Sequence, residues 1–266
     1  MSISREAFTR NRSQSDSVPR WRSYWKECTD TYGTPVMIEF AEPNPDFSVH
    51  QVEYNRGRSG FPEIFENASL DNFQWSYTVD GRAADTSALR KTAEDFARNF
   101  REWEKVPVGL YIHSRTRGSG KTRLACSLGN EIMKDRAVAV VFQSASTILS
   151  DITAWQKDNQ NGGGRIDPVK RLKECRLLIL DDLGAKQSGG GWLNDVLFEV
   201  MDHRITHNLV TVITSNNPVG ELDMDTRIID RVNAASVALK LPECSKRSQE
   251  ANKHKAEFLH RRGLIP

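Results

Sequence analysis

The segment RTRGSGKT, residues 115–122, has the composition of a loop that binds nucleotide phosphates. Its small residues let several backbone N–H groups approach phosphate oxygens without interference from Cβ atoms. Lys121 provides a cation for the β- and γ-phosphates, and the Thr122 hydroxyl provides a ligand for Mg²⁺. The segment therefore predicts a site for ATP/ADP and Mg²⁺. The residues expected to contact the nucleotide are Gly118, Ser119, Gly120, Lys121, Thr122 and Arg123.

The loop departs from the pattern G-x-x-x-x-G-K-[ST] at its first position, where Arg115 replaces glycine. If that position needs a positive φ, an arginine there is strained by about 1–3 kcal/mol. The alternative interpretation of the segment is a Gly/Ser-rich turn that precedes an ordinary helix.

A second candidate site follows the apolar run Leu177–Leu180, which ends in Asp181 and Asp182. A strand that places an aspartate at its carboxyl end beside a phosphate loop suits Mg²⁺ ligation. We expect Asp181 to bind the metal through a water molecule and Asp182 to polarise the attacking water. Asn216, after the next apolar strand, is expected in the same layer, although Asn-Asn-Pro is also turn chemistry.

Two arginines, Arg227 and Arg231, are spaced i and i+4 and share one face of a predicted helix. Such residues are commonly solvated or paired in salt bridges. The alternative that we favour is an arginine finger offered to the nucleotide of a neighbouring subunit, with Arg231 as first choice and Arg227 as second.

From Gly109 onward, apolar strands alternate with helical patterns, which predicts an α/β fold with a parallel sheet. Upstream, apolar residues between 86 and 103 recur at the spacing of one helix face. The predicted strands are 110–113, 137–143, 176–180, 209–215 and 237–241. The predicted helices are 121–134, 146–157, 167–174, 191–206, 226–233 and 246–262.

Three regions are expected: an N-terminal partner-docking region (1–58), a connector with one helix (59–107) and the core (108–266). The first region is polar and looks irregular. Within it, Pro19–Lys26 interleaves aromatic and basic residues. That mixture can stack bases, dock a partner, or form a short helix that packs on the domain.

The composition excludes several classes of protein. The 266 residues carry a net charge of only +2, with mean hydropathy −0.56 and no apolar run long enough to span a bilayer. The four scattered cysteines contain no C-x-x-C pair, which argues against a zinc ribbon or a disulfide framework. We therefore expect a cytoplasmic protein whose nucleic-acid contacts, if it has them, are local.

The order of these motifs over roughly residues 60–250 resembles the AAA+ helicase loaders of the DnaC/DnaI type and the related IstB transposition ATPases. The resemblance implies a three-layer AAA+ P-loop ATPase core that binds ATP/ADP and Mg²⁺ and self-associates through its ATP sites. It also implies two partners, a replicative hexameric DNA helicase and single-stranded DNA. By position, Lys121 and Thr122 match the family's phosphate loop, and Asp181 and Asp182 match its Walker B pair. Asn216 matches sensor I, Arg231 matches the box VII finger, and Arg247 is similar to the sensor II arginine. Arg204 corresponds to an arginine that the family carries after Walker B.

The departures from the family pattern bear on activity and partners. Asp182 is one methylene shorter than the usual glutamate, so slow, switch-like hydrolysis is expected. The N-terminal region lacks a Cys/His cluster for zinc, and the compact size suits a phage or mobile-element version. A transposition helper and a nucleotide-bound adaptor without hydrolysis remain the alternatives. Candidate DNA contacts, which can equally be solubilising charges, are Lys157, Arg165 and Lys170.

Overall fold

The computed structural model describes residues 21–29, 33–136, 138–184 and 190–262. The expectations for residues 1–20, including Pro19 and Arg20, and for residues 263–266 lie outside the described part. The chain divides into two compact units, residues 1–51 and 52–266. The strands are β1 Trp21–Thr29, β2 Pro35–Pro43, β3 Thr78–Val79, β4 Arg82–Ala83, β5 Gly109–His113, β6 Val140–Ser144, β7 Leu177–Leu183, β8 Val210–Ser215 and β9 Ser236–Lys240. The α-helices are α1 Pro45–Ser59, α2 Ser87–Arg98, α3 Phe100–Lys105, α4 Lys121–Arg136, α5 Ile148–Gln160, α6 Pro168–Glu174, α7 Gly190–Thr206, α8 Thr226–Ala235 and α9 Lys246–Arg261.

The first unit contains a regular β-hairpin, so the expectation of an irregular chain is wrong for residues 21–29 and 35–43. Strands β1 and β2 pair antiparallel, and Tyr24 stacks on its cross-strand partner Phe40 with ring centroids 5.8 Å apart. The short-helix alternative for residues 21–26 is also wrong. Trp21, Tyr24 and Trp25 are not spaced as a strict strand alternation, but an enrichment in aromatic residues is typical of strands.

The second unit is built on a parallel sheet of five strands in the order β6-β7-β8-β5-β9. Leu110 of β5 lies opposite Val212 of β8, and Leu177 of β7 lies opposite Val210. Parallel strands end at the same edge of the sheet, so the loops after β5, β7 and β8 meet there. The predicted parallel sheet is confirmed.

Helices cover both faces of this sheet. Leu124 and Leu128 of α4 pack on one face, together with α2. Ile148 of α5, Leu197 of α7 and Val232 of α8 pack on the other. The result is the three-layer α/β architecture that the sequence predicts, because strands buried on both faces require two helical layers.

The predicted elements of the core differ from the observed ones by one to three residues at one end or both, and one helix upstream is divided in two. The helix expected over 86–103 is interrupted at Asn99, which separates α2 from α3. The strand expected over 137–143 begins at Val140, and residue 137 lies outside the described part. Within the described ranges, no helix combines the length and apolar character needed to cross a membrane.

Candidate nucleotide-binding site

The phosphate loop joins the end of β5 to the beginning of α4, as predicted. Gly118 and Gly120 have φ angles of 78° and 102°, a region that L side chains rarely adopt. A Cβ atom on Gly118 would lie 2.9 Å from Ser245 Oγ, and one on Gly120 would lie 3.4 Å from Tyr77 Oη. The backbone conformation requires glycine at both positions, and at Gly118 the lack of space adds to that requirement.

Lys121, the first residue of α4, is buried inside the loop. Its Nζ atom donates hydrogen bonds to the backbone oxygens of Ser114 at 3.0 Å and Thr116 at 3.1 Å. Desolvation lowers the pKa of Lys121, and the nearby carboxylates of Asp182 and Glu243 oppose that shift. The ammonium group is thus held at the inner edge of the loop, where an anionic phosphate would strengthen its charged form.

Arg115 does not strain the loop, because its backbone is not among the positive-φ residues of the described chain. Its guanidinium pairs with Glu221 at 2.5 Å, and its backbone N–H donates to Glu243 at 3.1 Å. Its side chain is also absent from the residues that line the cleft described next. The strain that a positive φ would impose therefore does not arise, and Arg115 leaves the cleft open.

The loop borders a cleft of about 640 Å³, a volume suited to a ligand of nucleotide size. Its lining combines the phosphate loop and the ends of β7 and β8 with apolar and aromatic residues of the connector, which suit a base. The connector residues in the lining are Ile64, Phe65, Phe73, Gln74 and Tyr77.

Asp181 lies at the end of β7 beside the first turn of α4. It accepts a hydrogen bond from Thr214 Oγ1 at 2.6 Å, and the Thr122 side chain lies near it and favours its charged form. Desolvation raises the pKa of Asp181, while the Thr214 and Thr122 hydroxyls oppose the shift. A carboxylate and a neighbouring hydroxyl form the oxygen donor pair that Mg²⁺ uses together with phosphates and waters, so the residues present fit that ion.

Asp182 has a φ of 58° and sits where the β7–β8 pairing shifts register between Leu180 and Leu183. Its Oδ1 atom accepts a hydrogen bond from Asn216 Nδ2 at 2.7 Å. Its N–H donates to Thr214 Oγ1 at 2.9 Å. The irregularity turns Asp182 away from the ladder and towards the amide that follows β8.

Two arginines stand in the cleft wall. Arg247 lines it from the beginning of α9, whereas Arg123 lines it from α4 and donates to the backbone oxygen of Asn72 at 3.0 Å. The Nε atom of Arg123 is buried and has no hydrogen-bond partner among the described residues. Both positions agree with the predicted contact set, although their role with a nucleotide stays a prediction.

Arg227 and Arg231 do not line this cleft. Arg231 pairs with Asp202 at 2.6 Å, and Arg227 pairs with Asp225 at 2.7 Å. Both guanidinium groups lie over the ring of Phe198, at 4.2 Å for Arg231 and 4.6 Å for Arg227. Neither arginine therefore joins the site of its own chain, and each already has an intrachain partner.

Arg204 is fully buried and has a structural set of partners. It donates to Thr211 Oγ1 at 2.9 Å and to the backbone oxygen of Val210 at 2.6 Å. Its Nη1 atom donates to the backbone oxygens of Leu172 and Cys175, each at 2.8 Å. The side chain ties the end of α6 to strand β8, on the face of the sheet away from α4.

Sequence reasoning missed three residues at this site. Thr214 bridges the two aspartates, Glu243 binds the phosphate loop, and Tyr77 donates to the backbone oxygen of Ser119 at 2.9 Å. Thr214 precedes Ser215-Asn216 at a strand end, which was a usable signal. No sequence pattern around Tyr77 or Glu243 indicated that these residues contact the phosphate loop.

The fold and the cleft together define a P-loop nucleotide-binding protein of the AAA+ ATPase class. Residues 111–254 match the family model described as IstB-like ATP binding protein, and this range is more than half of the chain. The chain therefore belongs to the IstB-like ATP-binding family.

Similar proteins have names from DNA replication. The chain is 26% identical over 187 residues to the replicative helicase loader DnaC of Buchnera aphidicola subsp. Schizaphis graminum, covering 66% of this chain and 67% of the relative. A crystal structure of the DnaC helicase loader matches with a TM-score of 0.54 at 19% identity, over 68% of this chain and 100% of that one. AMPPCP-bound DnaA from Aquifex aeolicus matches with a TM-score of 0.53 at 18% identity, over 76% and 57%. At these identities the two structures support the fold alone.

Proposed function

We propose that this protein is an ATP-dependent loader that delivers a replicative DNA helicase onto single-stranded DNA. The observation that carries the proposal is the convergence of Lys121, the Asp181–Thr122 pair and the Asp182–Asn216 pair on one cleft. The names of the DnaC relatives support the helicase as the partner.

In this proposal the phosphate loop and Lys121 bind the triphosphate, while Thr122 and Asp181 hold Mg²⁺. The metal would supply charge neutralisation of the β- and γ-phosphates. Asp182 orients the attacking water, and Asn216 holds the Asp182 carboxylate in position. Arg247 contacts the phosphates from the beginning of α9, beside Gly118. The remaining phosphate-loop contacts are Gly118, Ser119, Gly120 and Arg123.

Hydrolysis in this proposal is slow and acts as a switch. Asp182 is shorter than a glutamate, and a displacement of about 1 Å in a reacting group can cost about a hundredfold in rate. Arg231, with Arg227 as second choice, reaches the nucleotide of the next subunit and completes that site. Loss of the γ-phosphate then weakens the contact between subunits and releases the helicase.

The hairpin β1–β2 is the proposed helicase-docking element. Trp21, Tyr24 and Trp25 are exposed on it, with 54%, 43% and 61% of their surface accessible. Aromatic side chains of this kind dominate binding energies at interfaces. For the DNA, Arg165 and Lys170 are exposed residues near α5 and α6, each within 3.9 Å of an acidic residue. They stay candidates together with Lys157.

The test is reconstitution with the purified resident replicative helicase and circular single-stranded DNA. With ATP, the protein should co-purify with the helicase and raise the amount of helicase on the DNA. With ADP, both signals should fall. Lys121→Ala should lose both, and Lys105→Ala, an exposed lysine outside the cleft that pairs with Glu102, should retain both. If the parent chain binds ATP but does not co-purify with the helicase, the loader assignment is refuted.

The IstB-like family model favours a transposition helper as the second candidate. The two candidates share the ATPase core and differ in partner and DNA preference. A parallel pull-down with a transposase and with a hexameric helicase separates them, because only one partner should be retained in ATP. Phosphate release measured with and without single-stranded DNA tests the adaptor alternative, which requires that ATP is bound and not hydrolysed.

A further inference from the structure

The carboxylate of Glu243 binds the beginning of the phosphate loop. It accepts hydrogen bonds from the N–H of Arg115 at 3.1 Å, the N–H of Thr116 at 2.7 Å and the hydroxyl of Ser114 at 2.9 Å. Hydrogen bonds to an ionised acceptor are the stronger kind, and each also restricts the donor's orientation. Glu243 therefore fixes the stretch of loop in which arginine replaces the usual glycine.

Glu243 is also the first residue of a short segment, 243–247, that contacts the middle of the loop. The N–H of Lys246 donates to the backbone oxygen of Gly118 at 2.9 Å. Arg247, the next residue, lines the cleft, and its Cβ lies 3.1 Å from the position of a Cβ on Gly118. The segment 243–247 thus contacts the loop at two places, residues 114–116 and Gly118, and it contains Arg247, which lines the cleft.

Lys121 connects these contacts to the phosphates. Its Nζ atom donates to the backbone oxygens of Ser114 and Thr116, which are two of the three residues that donate hydrogen bonds to Glu243. A shift of residues 114–116 would therefore move the acceptors that hold the Lys121 ammonium. It would also change the separation between the loop and Arg247.

We propose that Glu243 is a positioning residue of the nucleotide site, holding residues 114–116 and Arg247 in one fixed arrangement around the phosphates. This inference rests on the proposed function of the cleft as an ATP site. Glu243 touches the loop and acts through Lys121 and Arg247, so it is not itself a catalytic residue.

The experiment compares Glu243→Ala and the isosteric Glu243→Gln with the parent full-length chain. Gln accepts hydrogen bonds through one oxygen only and turns an NH₂ group towards a donor. We expect Glu243→Ala to raise the Kd for ATP about tenfold, equivalent to about 1.4 kcal/mol, and to lower kcat as well. Glu243→Gln should change both in the same direction by a smaller factor. Fluorescent ATP titration gives the Kd, and phosphate release gives kcat.

The matched control is Glu221→Gln. Glu221 pairs with the side chain of Arg115 on the same loop but takes no backbone N–H from it. Its removal should leave the Kd and kcat within about twofold of the parent. A purely structural role for Glu243 would lower the melting temperature of the nucleotide-free protein and leave Kd and kcat unchanged.

The inference is overturned if Glu243→Gln is folded and retains the parental Kd and kcat, whether or not Glu243→Ala folds. That result is distinguishable from failure of the proposed function. In the latter case the parent chain itself shows no ATP binding, whereas here the parent binds and hydrolyses ATP and only the effect of the variant is missing.

Discussion

Asn216 Nδ2 lies 2.7 Å from Asp182 Oδ1, so a side-chain hydrogen bond joins the ends of strands β7 and β8. The bond exists because the β7–β8 register shifts at Leu180 and Asp182 takes a φ of 58°. A carboxylate held by one amide donor keeps its other oxygen for a water molecule. The geometry thus suits the proposed role of Asp182 in orienting water.

The first prediction concerns this bond. Asn216→Ala should leave ATP affinity nearly unchanged and lower kcat about tenfold or more, because only the orientation of Asp182 is lost. Phosphate release and ATP titration measure the two quantities. Asn217→Ala is the matched control, since the neighbouring side chain is not part of the cleft lining. Equal effects of the two substitutions would show that the Asp182 contact has no role in turnover.

The phosphate loop and the two aspartates could be predicted because their signals are local. A loop of small residues between a strand and a helix by itself indicates phosphate binding, and the carboxyl ends of parallel strands lie at one edge of the sheet. The alternation of apolar strands and helices likewise predicts the layers. These inferences need no knowledge of which strands are neighbours.

Tyr77 and Glu243 could not be predicted in this way. Tyr77 binds the oxygen of Ser119 across 42 positions in the chain, and Glu243 binds Thr116 across 127. Such contacts depend on the order of strands and on the path of the last segment over the loop. The conformation of Asp182 depends on a register shift, which single-sequence patterns do not specify.

The second prediction concerns the buried Arg204. Arg204→Met should lower the free energy of unfolding by about 3–5 kcal/mol, because backbone oxygens at Leu172, Cys175 and Val210 lose their donor. Urea unfolding measures the change. Arg176→Met is the control, since the Arg176 side chain is 55% exposed and pairs with Glu104, so its loss should cost less than that of the fully buried Arg204. A stable Arg204→Met that cannot hydrolyse ATP would instead assign Arg204 to the active site.

The third prediction concerns pH and Asp225, the N-cap of α8. Hydrogen bonds from the side chain and backbone of Arg227 lower the pKa of Asp225 to about 2. The unfolded value is about 3.9. Because the folded pKa is the lower one, the stabilisation is fully present above about pH 4 and is lost as the pH falls towards 2.

Asp225→Asn tests this dependence, because asparagine is an equally good N-cap without the charge. The parent should be more stable than the variant at pH 5, and the difference should shrink between pH 4 and pH 2. Urea unfolding at each pH measures the difference, and carboxyl NMR titration of Asp225 gives its pKa. A difference that is independent of pH would contradict the assigned role of the charge.

The fourth prediction concerns Arg231, which pairs with Asp202 of its own chain at 2.6 Å. If Arg231 acts on the next subunit, it must exchange Asp202 for the nucleotide on assembly. Arg231→Ala should then bind ATP normally and lose about 10³-fold or more in hydrolysis. Lys121→Ala should fail for a different reason, because its own phosphate loop cannot bind ATP.

Mixing these two inactive variants separates a role in trans from a role in cis. An interface between the loop of an Arg231→Ala subunit and the arginine of a Lys121→Ala subunit has both intact parts, and random assembly makes roughly a quarter of the interfaces of this kind. ATPase activity should therefore reappear on mixing. A mixture of Lys121→Ala with Asp181→Ala is the control and should stay inactive, since both residues lie in the cleft of one chain.

Full activity of Arg231→Ala alone would move the assignment of the arginine finger to Arg227. If mixed oligomers form but ATPase activity does not reappear, Arg231 has no role in trans, because the mixed interfaces contain every other part of the nucleotide site.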